Sequence, residues 1–251
     1  RGIRPLYMAR NGESFYVASE SAPIDVLTNM GEDFIERKDV IPGSILVVED
    51  GKIIEDQVLE PNKAVCVFEW VYFSRPDSVV EGKTVHNARK RFGHGLVDLH
   101  DLNKVYADDK GNGLVVIPVP DSGRSVSTGT AEALGVTADE GVIKNAYMGR
   151  TYLIDDSEYR KVASDLKHNI IKETVKGKKV VLTDDSIVRG TVSESIAKNL
   201  RQAGATEVDF LVSYAPIFYP CFSDPINKPL AAKAFKGKSS EEIGDLVAGN
   251  L

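Results

Sequence analysis

The sequence predicts an α/β fold in which a mostly parallel sheet carries helices on both faces. Two observations lead to it. Short apolar runs of largely β-branched residues, Leu114 to Val119 and Val180 to Leu182 above all, are too short for helices and read as strands buried on both faces. Each is followed by a tight polar turn and then an amphipathic segment, and from about residue 66 onward strand and helix patterns alternate. Up to about residue 60 the pattern is instead one of short strands and turns. A smaller β-rich region is therefore expected ahead of the α/β region, as domains 1–62 and 63–251.

In chain order, Phe15 to Ala18, Ser44 to Val48 and Lys52 to Ile54 predict short strands, with Pro42-Gly43 as a turn and Glu49-Asp50-Gly51 as a hairpin turn. Cys66 to Phe73 is apolar except for Glu69 and predicts a strand crossing between the domains, turned by Ser74 to Ser78. Lys83 to Gly93 predicts a helix with Arg89 and Arg91 in solvent. Ala107 to Gly113, rich in Asp, Gly and Asn, is a loop before the strand Leu114 to Val119. A helix over Thr128 to Leu134 should stop at Gly135. After the strand at Val180 to Leu182, Ser193 to Ala203 predicts a helix with Ile196, Ala197 and Leu200 on one face, stopped by Gly204. Glu207 to Val212 is a further strand, and the two prolines in Pro216 to Cys221 exclude a central strand there.

Composition narrows the class. A chain of 251 residues holds ample core, and 42% hydrophobic residues with 21 Gly and 11 Pro fit a globular protein. The net charge of -6, with no basic cluster larger than Arg89-Lys90-Arg91, argues against a nucleic-acid partner. No apolar run reaches the length of a membrane helix, and no signal-like segment opens the chain. Two cysteines make no disulfide framework, so a cytoplasmic location is expected.

The chemistry concentrates where strands end. Asp184 and Asp185 close the Val180 strand, and in an open α/β sheet the carboxyl ends of strands face the ligand crevice. Ser186 to Thr191 turns through Gly190 into a helix start, where backbone N–H groups, with the Thr191 and Ser193 hydroxyls, make an anion cradle suited to phosphate. Two acids beside a phosphate cradle suit a sugar phosphate, its hydroxyls or a Mg²⁺ on the carboxylates. An isolated Asp-Asp would as readily open a solvated loop, with Ser193 a mere helix cap. A receiver-type acidic pair usually opens a domain, whereas this one lies past the middle of the chain. The second strand end, Pro120-Asp121-Ser122-Gly123-Arg124-Ser125, fits a tight turn whose N–H groups and Ser122 hydroxyl approach a second phosphate.

The full string Asp-Asp-Ser-Ile-Val-Arg-Gly-Thr between strand and helix resembles the phosphoribosyl pyrophosphate (PRPP) motif of type I phosphoribosyltransferases, in the wording of the glutamine PRPP amidotransferase family. The resemblance implies that Asp184, Asp185, Ser186, Ile187, Val188, Arg189, Gly190 and Thr191 bind PRPP. It makes Asp121, Ser122 and Gly123 the pyrophosphate loop, and Ser122, Asp184 and Asp185 the Mg²⁺ contacts. Lys144 to Thr151 also matches the family. In the flexible loop that follows, Arg160, Lys167 and Asn169 fall in register, so Arg160 and Lys167 join the two acids as implied catalytic residues. Asp155 and Ser157 stand where the family has Pro and Gln, and Asp165 where it has Arg. That charge reversal along the pyrophosphate's path favours a PRPP-binding regulator or pseudoenzyme subunit, while the intact acid pair favours an enzyme.

Arg4-Pro5-Leu6, Ala18 to Ser21 and Asp39 to Gly43 resemble the later half of that family's N-terminal-nucleophile glutaminase domain. That domain needs a cysteine at its mature N-terminus, whereas residue 1 is Arg, so a partial glutaminase region or one chain of a split enzyme is expected. Cys66 and Cys221 coincide with two of the four ligands of a [4Fe-4S] cluster in one branch of the family; within 251 residues they read as free thiols. The implied activity is amidophosphoribosyltransferase, forming 5-phosphoribosylamine from PRPP and free or glutamine-derived ammonia, in a homo-oligomer. A base phosphoribosyltransferase of the same fold is the alternative, but it lacks a glutaminase-like beginning.

Overall fold

The structure is a computed structural model and describes residues 2–12, 14–50, 52–58, 63–145, 167–187 and 191–215. Two compact units are present, residues 1–89 and 90–251.

In the first unit, β1 (Tyr7–Arg10) pairs antiparallel with both β2 (Phe15–Ala18) and β3 (Glu36–Asp39). Between β2 and β3 lies α1 (Ala22–Asn29), which turns Ala22 and Ile24 inward. The expected hairpin forms from β4 (Ser44–Glu49) and β5 (Lys52–Val58), with a register shift at Val47/Val48. Its second strand runs four residues beyond the predicted end.

Two expectations fail in this unit. Cys66 to Phe73 is not a strand: Glu69–Phe73 is a π-helical turn, closed by the Ser74 N–H on the Glu69 carbonyl at 3.1 Å. A short apolar run does not by itself distinguish strand from helix. Here the polar interruption decides it, because coiling brings buried Glu69 both Arg4, 2.8 Å from Oε1, and the Ser74 hydroxyl, which donates to Oε2 at 2.8 Å. Arg89, expected in solvent, is 4% exposed. Its guanidinium donates to the carbonyls of Trp70 at 2.7 Å and Ser74 at 2.8 Å, so two donors of one rigid fork satisfy the end of that turn where water would otherwise be needed. Arg91 is exposed as expected. A small hairpin, β6 (Val79–Val80) with β7 (Lys83–Thr84), leads into α2 (Val85–Leu99), longer and later than the predicted helix.

After the short α3 (Leu102–Val105), the second unit is built on a parallel sheet. Its strands are β8 (Leu114–Pro118), β9 (Thr137–Ala138), β12 (Lys179–Asp184) and β13 (Glu207–Val212), in the order β13-β12-β8-β9. β12 pairs with β8 from Lys179↔Leu114 to Thr183↔Pro118, and with β13 from Lys179↔Glu207 to Asp184↔Val212, so three carboxyl ends finish level. Val116, Val180, Val181 and Leu182 have no exposure, as central parallel strands require. Alternation sorts them: Val115, Ile117, Val180 and Leu182 join Ile196 and Leu200 in one core, while Val116 and Val181 join Val97, Leu102 and Leu134 in the other. Helices thus cover both faces.

α4 (Arg124–Leu134) begins four residues earlier than predicted and ends, as expected, at Gly135, whose φ of 69° suits only glycine without strain. It lies so close to α2 that a Cβ on Gly93 would meet the Val126 carbonyl at 2.3 Å and the Thr130 nitrogen at 2.6 Å. An antiparallel pair, β10 (Val142–Lys144) and β11 (His168–Ile170), precedes α5 (Lys172–Val175). α6 (Thr191–Gln202) follows β12, and Gly204 stops it at φ 100°.

His168, on β11, is buried, and burial followed by the nearby Lys167 and Lys144 charges pushes its pKa down to about 4. Its folded value lies below the ordinary 6.5, so its neutral form stabilises the fold above about pH 6.5, and that contribution fades as pH falls toward 4. Denaturant unfolding of wild type and His168→Gln should therefore differ in pH dependence. Wild type should lose about 2 kcal/mol more between pH 7 and pH 4. Parallel curves would place the histidine in water.

Candidate active site

Three strand ends meet at the acid pair. Asp184 is the last residue of β12 and is 8% exposed, and Asp185 beside it is 7% exposed. Ser122, in the turn after β8, donates its hydroxyl to Asp184 Oδ1 at 2.5 Å, and the Asp185 N–H reaches the same oxygen at 2.9 Å. The Ser186 hydroxyl donates to Asp185 Oδ2 at 2.8 Å. Ser213 and Tyr214, just past β13, reach the backbone of the pair: Ser213 N–H to the Asp184 carbonyl at 3.1 Å, and Tyr214 N–H to that of Asp185 at 3.0 Å. The Ser213 hydroxyl also donates to the Asp185 carbonyl, at 3.2 Å.

Burial, and next the Asp185 charge alongside, hold the Asp184 carboxyl well above the usual carboxylate range, against the Ser122 hydrogen bond that favours its charged form. Neither acid forms an ion pair with a lysine or arginine among the described residues. Two adjacent buried carboxyls are a place where a cation or hydrogen-bond donors are wanted.

The turn 120–123 is set by close approach. The Pro120-Asp121 peptide is cis. A Cβ on Gly123 would stand 2.2 Å from the Thr183 carbonyl and 2.8 Å from the Val119 nitrogen, so only glycine lets this turn lie against the end of β12. Asp121 does not face the acid pair with a free carboxylate. Lys144 lies 3.0 Å from its Oδ2 and Arg124 3.6 Å from its Oδ1, and the Lys144 hydrogen bond foremost holds its carboxyl below the usual range.

Of the residues expected in the site, the structure brings together Asp184, Asp185, Ser186, Ser122 and Gly123, with Ile187 buried beyond them. Lys167 is half-buried and its carbonyl accepts the Asn145 N–H at 2.8 Å. Val188, Arg189, Gly190, Arg160, most of the loop Tyr152 to Asn169, and Cys221 lie outside the described residues. Thr191 begins α6, its side chain likewise outside them; Ser193 is buried two residues later. Cys66 is half-buried and free, and among the described residues no group of three or more His, Cys, Asp or Glu could hold a metal. Ser213 was not singled out by the sequence. The pairing Asp184↔Val212 is the signal that finds it, because the residue after a level strand end borders the residue after its neighbour.

No family model matches the chain. Curated amidophosphoribosyltransferases are similar over nearly all of it. That of Methanocaldococcus jannaschii is 37% identical over 265 residues, 98% of this chain and 53% of the relative. That of Bacillus subtilis is 41% identical over 222 residues, 88% of this chain and 44% of the relative. Two solved structures share the fold at a TM-score of 0.79 and 36% identity over 98% of this chain. They are an allosteric regulatory enzyme of purine biosynthesis and the glutamine PRPP amidotransferase of Bacillus subtilis complexed with ADP and GMP, covered to 50% and 51% of their lengths. The chain spans about half the length of the curated relatives it matches. The α/β fold expected from the sequence is thereby borne out, a type I phosphoribosyltransferase sheet following a β-rich beginning. Sequence and fold together identify the chain as a relative of the amidophosphoribosyltransferases.

Proposed function

We propose that this chain carries the phosphoribosyl-transfer half of an amidophosphoribosyltransferase, forming 5-phosphoribosylamine from PRPP and ammonia, free or released from glutamine. The observation that carries the reading is the buried Asp184–Asp185 pair, held at a strand end by Ser122, with a helix beginning at Thr191. In this reading the carboxylates accept hydrogen bonds from the ribose hydroxyls, and loop 186–191 receives the 5′-phosphate. The Ser122 turn receives the pyrophosphate, Asp121 through its backbone, since its side chain is engaged by Lys144. Ammonia's lone pair forms the bond to C1 as the C1–O bond to pyrophosphate breaks, and the surplus proton passes to solvent. Lys167 and Arg160 would steady the negative charge on the departing group.

Mg²⁺ fits this site. The donors are hard oxygens, two carboxyls and a hydroxyl, too few for an all-protein cage among the described residues, which suits an ion held by one or two carboxylates and substrate phosphates. Bound there, it would neutralise charge developing on the pyrophosphate. An iron–sulfur cluster has only Cys66 among the described residues, and no step here depends on one.

Residues 1–62 belong in this proposal to a glutaminase-like region and 63–251 to the transferase, with glutamine hydrolysed by a glutaminase in the same polypeptide or in a separate chain. A cytoplasmic homo-oligomer is part of the same reading. No helix among the described residues is long and apolar enough to cross a membrane. A second reading, PRPP binding without turnover, is favoured by Asp165 in place of the family's Arg. The deciding assay is pyrophosphate release by the 251-residue chain with PRPP, Mg²⁺ and ammonium chloride, alongside calorimetric PRPP binding. Release dependent on all three is expected. Binding with no release would select the non-catalytic reading, and neither would sink both.

A further inference from the structure

The ladder between β12 and β13 continues past the last residue of either strand. Ser213 and Tyr214 donate backbone N–H groups to the carbonyls of Asp184 and Asp185 at 3.1 and 3.0 Å, so the backbone of the acid pair is held from outside its own loop. Any residue but proline at 213 supplies the first of these bonds. Only a hydroxyl-bearing side chain supplies the third, the 3.2 Å bond from Ser213 Oγ to the Asp185 carbonyl, which gives that oxygen two donors.

The consequence follows from peptide geometry. A trans peptide is planar with its C=O and N–H antiparallel, so fixing the Asp185 carbonyl fixes the direction of the Ser186 N–H. That amide is the first after the acid pair, and the Ser186 hydroxyl in turn holds Asp185 Oδ2 at 2.8 Å. One hydroxyl therefore orients the peptide plane between Asp185 and Ser186. We propose that Ser213 is a positioning residue for the acid pair and the Ser186 amide beside it. This rests on the reading of the site as a PRPP site. Ser213 touches no substrate in the proposal; it acts through the Asp185 carbonyl.

The test compares wild type, Ser213→Ala and Ser213→Thr in ammonia-dependent pyrophosphate release, with thermal unfolding and amide NMR of each. Ser213→Ala keeps both backbone bonds, so its unfolding midpoint should move little. Its KM for PRPP should rise about fivefold, the ratio matching one hydrogen bond's net ~1 kcal/mol. Ser213→Thr, which keeps the hydroxyl, should recover most of that loss. KM unchanged in Ser213→Ala, or a threonine variant no better than alanine, would overturn the inference. Should wild type show no PRPP turnover, the functional reading fails first, and the amides decide the rest. The Asp185 and Ser186 signals should move most in Ser213→Ala, and signals left in place would overturn the positioning role regardless of activity.

Discussion

Asp184→Asn is expected to lower PRPP-dependent pyrophosphate release about a hundredfold or more, about 3 kcal/mol of lost transition-state stabilisation. Asparagine has nearly the same shape, and its carbonyl oxygen can still accept from the Ser122 hydroxyl and the Asp185 N–H, which meet Asp184 Oδ1 at 2.5 and 2.9 Å. The turn should therefore hold. What disappears is an ionisable carboxyl whose charged form burial and the adjacent Asp185 both disfavour, so stability at neutral pH should stay level or increase. Steady-state kinetics and denaturant unfolding of the one variant check both halves. A stable protein without turnover assigns the carboxylate to chemistry. Unchanged kinetics would mean that the pair serves only to close the turn.

Two glycines on one helix should respond with opposite sign. Gly93 and Gly95 both lie within α2, where alanine is intrinsically favoured over glycine by about 1 kcal/mol. At Gly95 a Cβ meets nothing within 4 Å, so Gly95→Ala should stabilise by about 0.5 to 1 kcal/mol. At Gly93 the same atom would stand 2.3 Å from the Val126 carbonyl and 2.6 Å from the Thr130 nitrogen. Both are backbone atoms of α4 and cannot rotate away. Gly93→Ala must push two helices apart, and should destabilise by about 3 kcal/mol or more. Thermal unfolding of the two variants gives the comparison; equal shifts would mean that the helices do not pack this closely.

The parallel sheet was legible because its strands are buried on both faces, which leaves a plain apolar run such as Val180 to Leu182 in the sequence. Glu207–Val212 was bounded to the residue for a related reason, an apolar run of Val208, Phe210, Leu211 and Val212 broken by Asp209 alone and ended by the polar Ser213. The acid pair and the Ser122 turn were legible because strand, turn chemistry and helix follow one another directly. What escaped depends on partners distant in sequence. Arg89 looks like one of three basic residues on a helix, and its burial is explained by partners such as the carbonyls of Trp70 and Ser74. Glu69 looks like a flaw in a strand until Arg4, sixty-five residues earlier, is found beside it. Ser213 is one more polar residue after a strand until the register makes it a neighbour of Asp185.

The acid pair is hung between two neighbouring strand ends, Ser122 being 62 residues before Asp184 and Ser213 28 residues after Asp185. No local segment can assemble it, since each attachment closes a loop of tens of residues, and the chain entropy of both closures must be met before any site exists. Parallel pairings of this separation are among the slower events in folding. The site therefore forms only when β8, β12 and β13 have found their register, and a fluctuation that parts either edge removes it as a unit. Occupancy of the acid pair is in this sense a measure of sheet closure: a ligand that binds there draws its affinity partly from the same equilibrium that holds the second unit folded.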